Sequence, residues 1–223
     1  MIDVKEKSKN IGKFLIILFL YFALSYVLAF AFQEAFNSKN NLINQTSSIL
    51  ASLFILLVLA LFHIPKIIND SRNLTKDNLK LAYKNWLIGL IIMYISNTFI
   101  LLINKDLAAN ETANRAILEQ APIYAILVMI VIAPITEEII FRLSLKKIFK
   151  SKYTYCFFSG LIFGLMHLTS IKEILFIVPY GALGFFFAKT LYDTDNIYAP
   201  IMTHITHNAM IIFILILGNF VGI

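Results

Sequence analysis

The sequence has few of the residues that most folded domains use for cross-links, turns and solubility. Among 223 residues there are one cysteine, Cys156, eight glycines and five prolines, and only 14% of the residues are charged. A single cysteine excludes an internal disulfide and a CxxC metal site. Soluble domains carry about 25% charged residues, so the low charge excludes an ordinary soluble protein. The scarcity of turn residues also disfavours a barrel of short, alternating strands.

Long apolar segments make up most of the chain, since 59% of the residues are hydrophobic and twenty are phenylalanine. A run of about 20 apolar residues predicts a membrane-spanning helix. The runs that we interpret in this way are Phe14–Phe32, Ile49–Ile64, Trp86–Ile103, Pro122–Phe149, Tyr155–Leu168, Ile174–Leu191 and Ile197–Gly218. We therefore predict an all-α polytopic membrane helix bundle of about seven transmembrane helices. The range is six to eight, because the fifth or sixth helix could be re-entrant.

The basic residues predict the orientation of the bundle. With the N-terminus inside, 15 of the 19 lysines and arginines fall in segments on the cytoplasmic side. The four on the other side are Lys39, Lys105, Arg115 and Lys172. Because cytoplasmic loops carry an excess of Lys and Arg, this bias predicts a cytoplasmic N-terminus. The net charge of +6 is thus explained by cytoplasmic loops and need not indicate a nucleic acid partner. The expected surroundings are membrane lipids of the plasma membrane, and no nucleic acid partner is expected.

The segment Ala133–Arg142, which reads APITEEIIFR, puts three charges into an apolar run. Each charge near the centre of a bilayer costs roughly 2.5–3.5 kcal/mol, so such a segment needs an internal partner or a watery cavity. Glu138 and Arg142 are spaced i,i+4 in the favourable order for an ion pair. Glu137 has no such partner, and burial of an unpaired carboxylate raises its pKa toward the range of a general base. The plainer alternative is a structural ion pair with Glu137 reaching the membrane surface.

Further polar side chains lie in apolar surroundings on two later helices. His167 ends the segment FGLMH, four residues after Phe163, which we interpret as a packing residue. His204 and Asn208 are four residues apart and share one helix face, whereas His207 is predicted to face a different sector. With a helical rise of ~1.5 Å per residue, the distances of Glu137, His167 and His204 from the cytoplasmic ends of their helices can be compared. These depths allow a common site in the cytoplasmic-to-middle part of the membrane. Two alternatives stay open: an interfacial role for His167, and an interhelical hydrogen bond from Asn208.

Taken together, the three motifs EExxxR, FxxxH and HxxxN resemble the CAAX protease and bacteriocin-processing family of intramembrane peptidases, also called the ABI family. They read Glu137-Glu138-Ile-Ile-Phe-Arg142, Phe163-Gly-Leu-Met-His167 and His204-Ile-Thr-His-Asn208, in the family's order. The resemblance covers roughly Ala121–Leu217, and Leu143 stands where such sequences frequently have glycine.

The resemblance implies a division of labour among these residues. It implies that Glu137 activates a water molecule, that His167 helps to hold this water, and that His204 and Asn208 stabilise the oxyanion. Glu138 and Arg142 are implied to support Glu137. It also divides the chain into a three-helix membrane region with polar loops, residues 1–120, and a four-helix catalytic core, residues 121–223.

Metal use stays open at this point. If zinc is used, Glu137, His167 and His204 are the implied ligands, since Glu and two His form a recognised zinc set. No HExxH motif occurs, and a metal-free hydrolysis fits the residues equally well. The sequence also lacks the GxSG of rhomboid-type serine peptidases and the GxGD of the aspartyl type.

Two main hypotheses of function follow. The first is an intramembrane endopeptidase that cuts a membrane-associated peptide or lipid-anchored protein near the cytoplasmic leaflet, in bacteriocin or pheromone processing or in self-immunity. The second is a catalytically silent scaffold or immunity protein that binds a partner through its helices. A weaker third is a proton or ion pathway, because Glu and His in a bundle also suit a relay.

Overall fold

The computed structural model describes residues 4–35, 41–104 and 108–221, and these ranges contain helices and no strand. The all-α prediction is therefore confirmed. The described helices are α1 Val4–Ala35, α2 Asn41–Leu61, α3 Ile64–Arg72, α4 Lys76–Asn104, α5 Ala109–Gln120, α6 Pro122–Lys146, α7 Lys152–Met166, α8 Ile177–Thr194 and α9 Tyr198–Val221. A short 3-10 turn, Ile171–Phe176, precedes α8.

Six of the helices in this part of the chain are long and apolar enough to cross a membrane, namely α1, α2, α4, α6, α8 and α9. The seventh predicted span corresponds to α7, which has 15 residues and is about 22 Å long. The chain is thus a multi-pass membrane protein, as the apolar runs predict. The polar segment before Phe14 continues α1 as a helix, because Lys and Glu are good helix formers.

One end of the bundle, which we call the lysine end, carries most of the charged contacts. It consists of α3, the starts of α1, α4, α7 and α9 and the ends of α2, α6 and α8. Lys13 Nζ donates to the carbonyl of Phe62 at 2.6 Å, and Lys66 Nζ lies 2.9 Å from Asp70 and 3.2 Å from Asp195. Other ion pairs join Lys146 to Asp195, Lys152 to Asp193 and Lys189 to Asp193.

The opposite end, which we call the α5 end, is held by side chains that bind helix termini. Gln45 Oε1 accepts hydrogen bonds from the backbone N–H groups of Ile123 and Tyr124, at 3.0 and 3.2 Å. Glu173 accepts from the N–H groups of Ala109 and Thr169. Together the contacts at the two ends show that α7 runs from the lysine end to the α5 end. Lys39 and Lys105, which the orientation argument uses, lie outside the described residues.

Two π-helical segments interrupt α6, at Ala125–Ile132 and Ile139–Leu143, on either side of Ala133–Glu138. Pro134 has no N–H and cannot close a regular helical turn, so a break in the hydrogen-bond ladder near it is expected. In π-helical segments such as these, some backbone carbonyls are available to accept hydrogen bonds from side chains. The carbonyl of Met129 accepts from Asn208 of α9 at 2.7 Å, and that of Ile139 accepts from Ser144 Oγ at 2.8 Å. The glutamate pair therefore lies in a short α-helical turn between two irregular segments.

Candidate active site

Glu138 is fully buried and contacts two polar side chains, one on its own helix and one on α9. Its Oε1 lies 3.1 Å from Arg142 Nη2 on the next turn of α6, and it accepts a hydrogen bond from His204 Nδ1 of α9 at 3.0 Å. Both Glu138 and Arg142 are 0% exposed. The guanidinium of Arg142 lies 4.3 Å from the centre of the Phe163 ring, so it also has a cation–π contact. The structure thus contains the i,i+4 pair that the spacing predicts, and Phe163 packs against it.

Glu137, the neighbour of Glu138, is placed differently. Its side chain is 20% exposed, and it faces a cavity in the middle of the bundle. Glu137 Oε2 lies 3.6 Å from His204 Nε2, which is beyond direct hydrogen-bond distance. The carboxylate is therefore close to an imidazole and accessible from the cavity.

The imidazole of His204 lies between the two glutamates. Nδ1 donates to Glu138, because an ionised carboxylate can only accept, and this leaves Nε2 facing Glu137. The ring is stacked on Phe187, with centroids 4.6 Å apart and planes inclined by 22°. These contacts fix the orientation of a side chain that is only 4% exposed.

His167 at the end of α7 also lines the cavity. Its Nδ1 donates to the carbonyl of Phe163 at 2.8 Å, which leaves Nε2 as an acceptor. The ring lies against Phe163 and Tyr180, with centroid distances of 4.3 and 4.6 Å. His167 and Glu137 therefore border the same cavity.

Asn208 lines the cavity one turn beyond His204. Its Nδ2 donates to the carbonyl of Met129, so the interhelical hydrogen bond considered as an alternative is present. This bond orients the carboxamide and uses one of its two N–H groups. The second N–H and the oxygen remain for a bound molecule.

The cavity has a volume of about 410 Å³ and brings together Glu137, His167, His204 and Asn208. His207 also lines it, from a sector of α9 next to that of His204 and Asn208. Because both His204 and His207 border a cavity of this width, neighbouring sectors of α9 contribute to it. His207 packs edge-on against Trp86, and its Nδ1 has no hydrogen-bond partner within the described residues.

Tyr180 is a site residue that the sequence does not reveal. It stacks on His167 and lines the same cavity as Asn110 of α5. An aromatic residue near the start of a membrane helix usually indicates an interfacial anchor, so no sequence signal distinguishes this one.

The geometry does not assemble the zinc set that the resemblance implies. Within the residues that the structure covers, no three His, Cys, Asp or Glu side chains are placed to hold a metal ion. Nδ1 of His204 and Nδ1 of His167 are both held by protein acceptors, which leaves Nε2 of each ring as the nitrogen that could ligate a metal. The described side chains do not form a cluster of three metal ligands in this arrangement, and we derive no step through a metal.

The fold and the site define a class of protein: a polytopic helical membrane protein with a Glu–His–Asn cluster inside the bundle. Residues 119–210 match the Rce1-like family, described as type II CAAX prenyl endopeptidase Rce1-like. The chain is also 35% identical over 161 residues to the "Putative membrane peptidase YdiL" of Bacillus subtilis (strain 168). That alignment covers 63% of this chain and 63% of the relative. No solved structure matches the chain significantly.

The matched region contains every residue of the three motifs, from Glu137 to Asn208. The resemblance read from the motifs is thus confirmed, because the three motifs lie inside the region that matches the family model.

Proposed function

We propose that this protein is an intramembrane endopeptidase in which Glu137 activates the attacking water. The observation that carries the proposal is the contrast between the two adjacent glutamates. Glu138 is fully buried between Arg142 and His204, whereas Glu137 is free to face the cavity that holds both histidines. A carboxylate in reach of water, beside oriented imidazoles, is the arrangement that general-base hydrolysis requires.

In the proposed reaction a water molecule lies between Glu137 and His167. Glu137 accepts one proton of the water, and Nε2 of His167 accepts a hydrogen bond from the other. The water oxygen then attacks the carbonyl carbon of the scissile peptide bond. Glu137 returns its proton to the leaving amine nitrogen, so that the carboxylate is regenerated and a carboxyl and an amine product result.

The developing oxyanion is stabilised from α9. In its protonated form, His204 donates from Nδ1 to Glu138 and from Nε2 toward the carbonyl oxygen. The second N–H of Asn208 donates to the same oxygen. Removal of one such donor typically costs about 10²–10³-fold in rate, so we expect both residues to matter.

The substrate that we propose is a membrane-associated peptide or a lipid-anchored protein, cut while the protein is embedded in the cell membrane. The maturation of a secreted peptide, such as a bacteriocin or pheromone precursor, is the proposed biological role. The description of the matched family supports the peptidase class. The concentration of basic residues at the lysine end supports placement in a plasma membrane with this end inside.

The test is the variant Glu137→Gln, with Glu6→Gln as a control because Glu6 is exposed at the start of α1. We expect Glu137→Gln to accumulate in membranes at the normal level and to leave at least one peptide uncut, which comparative proteomics of the two strains would detect. Loss of the general base should reduce turnover by about 10²–10⁴-fold. Unchanged cleavage in Glu137→Gln would remove this residue from the mechanism.

A further inference from the structure

The cavity extends from Glu137 in one direction only. On α6 its lining residues are Glu137, Ala133 and Met129, which follow one helix face toward the α5 end. The same direction is found on α7, from Phe163 to His167, and on α8, from Phe187 back to Pro179. On α9 the lining continues from His204 to Leu215. Glu137 therefore lies at the bottom of a passage that leads away from the lysine end.

The lysine side of Glu137 is closed. Phe141 and Leu145, one and two turns further along α6, are 3% and 2% exposed, and Glu138 and Arg142 are fully buried. Beyond them the ion pairs of the lysine end tie α3, α6, α7 and α8 together. No residue from this side lines the cavity within the described part of the chain.

The other end of the passage is bordered by helix α5 and is polar. Asn110 and Asn114 of α5 and Asn97 of α4 line the cavity here, in addition to Asn208 deeper inside. Glu111 and Arg115, also lining residues, neutralise each other at 2.9 Å and are 29% and 46% exposed. This exposure shows that the cavity reaches the surface of the bundle beside α5.

We propose that the catalytic cavity opens at the α5 end, and that the substrate is an extended peptide segment that reaches Glu137 from there. With the lysine end in the cytoplasm, this opening lies on the outer face of the membrane. Cleavage then occurs from the outer side, in contrast to the cytoplasmic leaflet expected from the sequence. The substrate part of the proposal rests on the proposed peptidase function, whereas the direction of the opening does not.

The chemistry of the wall fits a peptide main chain. Carboxamides such as Asn97 and Asn114 both donate and accept hydrogen bonds, as the N–H and C=O groups of an extended peptide require. Between them the wall is apolar, with Met93, Leu183 and Ile212 available to side chains of the peptide. The volume of about 410 Å³ is within the usual range of ligand pockets, roughly 300–1,000 Å³.

The direction can be tested by cysteine accessibility, because Cys156 is the one cysteine in the sequence and is buried. In a Cys156→Ala background, Asn114→Cys reports the α5 end and Lys147→Cys the lysine end. A membrane-impermeant maleimide is added to right-side-out and to inverted membrane vesicles. We expect Asn114→Cys to be modified at least tenfold faster in right-side-out vesicles, and Lys147→Cys to show the opposite preference. The reverse pattern overturns placement of the opening on the outer face.

A second pair of variants tests the interior of the passage. Met129→Cys and Leu145→Cys each lie eight residues from Glu137, about 12 Å along α6, on opposite sides of it. A small charged methanethiosulfonate should modify Met129→Cys at least tenfold faster than Leu145→Cys. Equal rates, or faster modification of Leu145→Cys, would overturn an opening at the α5 end.

Measurement of peptide cleavage distinguishes the proposed peptidase function from the proposed substrate access at the α5 end. Once a peptide that depends on Glu137 is known, attachment of the maleimide to Asn114→Cys should reduce its cleavage at least tenfold, while the same adduct on Lys147→Cys should leave it unchanged. Unimpaired cleavage after complete modification of Asn114→Cys would overturn substrate access at the α5 end. If Glu137→Gln still cleaves, the peptidase proposal fails, but the labelling pattern continues to report where the cavity opens.

Discussion

Two identical side chains, Glu137 and Glu138, acquire different roles from their surroundings. Adjacent residues on a helix point about 100° apart, so one can face the packed interior while the other faces the cavity. Glu138 meets the guanidinium of Arg142 and the Nδ1–H of His204, and these partners compensate for its burial. Within the described residues, Glu137 has the more distant contact with His204 Nε2 and lines the cavity, so it stays available for chemistry.

The variant Glu138→Gln should therefore destabilise the protein. Glutamine keeps an oxygen for His204 Nδ1 but removes the negative charge, which leaves Arg142 buried and unpaired. Breaking a buried ion pair in this way costs about 3–5 kcal/mol. We expect a clearly lower Tm for the detergent-purified variant. The double variant Glu138→Gln/Arg142→Met removes both charges and should recover most of the lost Tm; an unchanged Tm in the single variant would contradict the role of the pair.

His63 gives a pH-dependent stability at the lysine end. Burial, together with the nearby Lys13 and Lys147, lowers the pKa of His63 from 6.5 to about 4, and its Nε2 lies 2.9 Å from Ser144 Oγ. Because the unfolded chain binds this proton near pH 6.5 and the folded protein only near pH 4, stability falls as the pH decreases through this window. We expect the Tm of the wild type to fall between pH 7 and pH 4 by more than the Tm of His63→Gln. Parallel curves for the two proteins would rule out His63 as the titrating group.

The sequence predicts the local part of the site and misses the part that depends on packing. The Glu138–Arg142 pair follows from i,i+4 spacing within one helix. The bond from His204 to Glu138 joins positions 66 residues apart, and only the packing of α9 on α6 creates it. Likewise, the width of the cavity brings in His207, although helical periodicity separates it from His204.

Helix α6 illustrates the same limit for a whole element. The apolar run and Pro122 predict its start, and Pro134 predicts an irregularity. The π-helical segments, however, depend on partners for the freed carbonyls, such as Asn208 at Met129. From the sequence, either α7 or α8 could be re-entrant, and α7 has only 15 residues in the structure. Its ion pair at Lys152 and the contact of Thr169 with Glu173 identify its two ends.

Helices α7 and α8 owe their close approach to glycines, which is a further property of the elements. A Cβ on Gly160 would lie 2.6 Å from the carbonyl oxygen of Gly181 and 2.8 Å from the backbone nitrogen of Phe185. A Cβ on Gly164 would likewise lie 2.9 Å from the carbonyl oxygen of Ile177. Small residues four apart allow membrane helices to pack backbone to backbone.

We therefore expect Gly160→Ala to push α7 away from α8 and to displace His167 at the end of α7. The variant should show a lower Tm and slower turnover. Gly12→Ala is the matched control, since a Cβ at Gly12 meets nothing within 4 Å. Thermal unfolding and activity of the two variants, measured side by side, check this. Equal Tm values would mean that the α7–α8 interface adjusts without cost.

On the scale of the whole molecule, the two ends of the bundle are built differently. The lysine end is joined by ion pairs and buried polar contacts among six helices and the loop before α9. The α5 end is held by fewer contacts, of which the carboxylate of Glu173 and the carboxamide of Gln45 are the main described ones. A bundle that is rigid at one end and open at the other can keep a catalytic cluster fixed while a substrate enters from the open side.

Asp70 is central to the rigid end. This side chain is 1% exposed; its Oδ1 pairs with Lys66, and its Oδ2 accepts from the N–H of Ile197 at 2.8 Å. Its carbonyl also accepts from Asn196 Nδ2 at 2.8 Å. Asp70 thereby fixes the chain just before α9, seven residues and about two turns ahead of His204.

Asp70→Ala should therefore affect both the fold and the reaction. The N–H of Ile197 loses its acceptor inside the protein, which costs about 1–3 kcal/mol, and Lys66 loses its buried partner. With the start of α9 released, His204 is no longer held at a fixed height beside Glu137, so we expect turnover to fall even at temperatures where the protein stays folded. Asp77→Ala is the control, because Asp77 is exposed in the first turn of α4. If Asp70→Ala matches Asp77→Ala in Tm and in turnover, the lysine end does not position the catalytic cluster, and the packing of α6, α7 and α9 alone must do so.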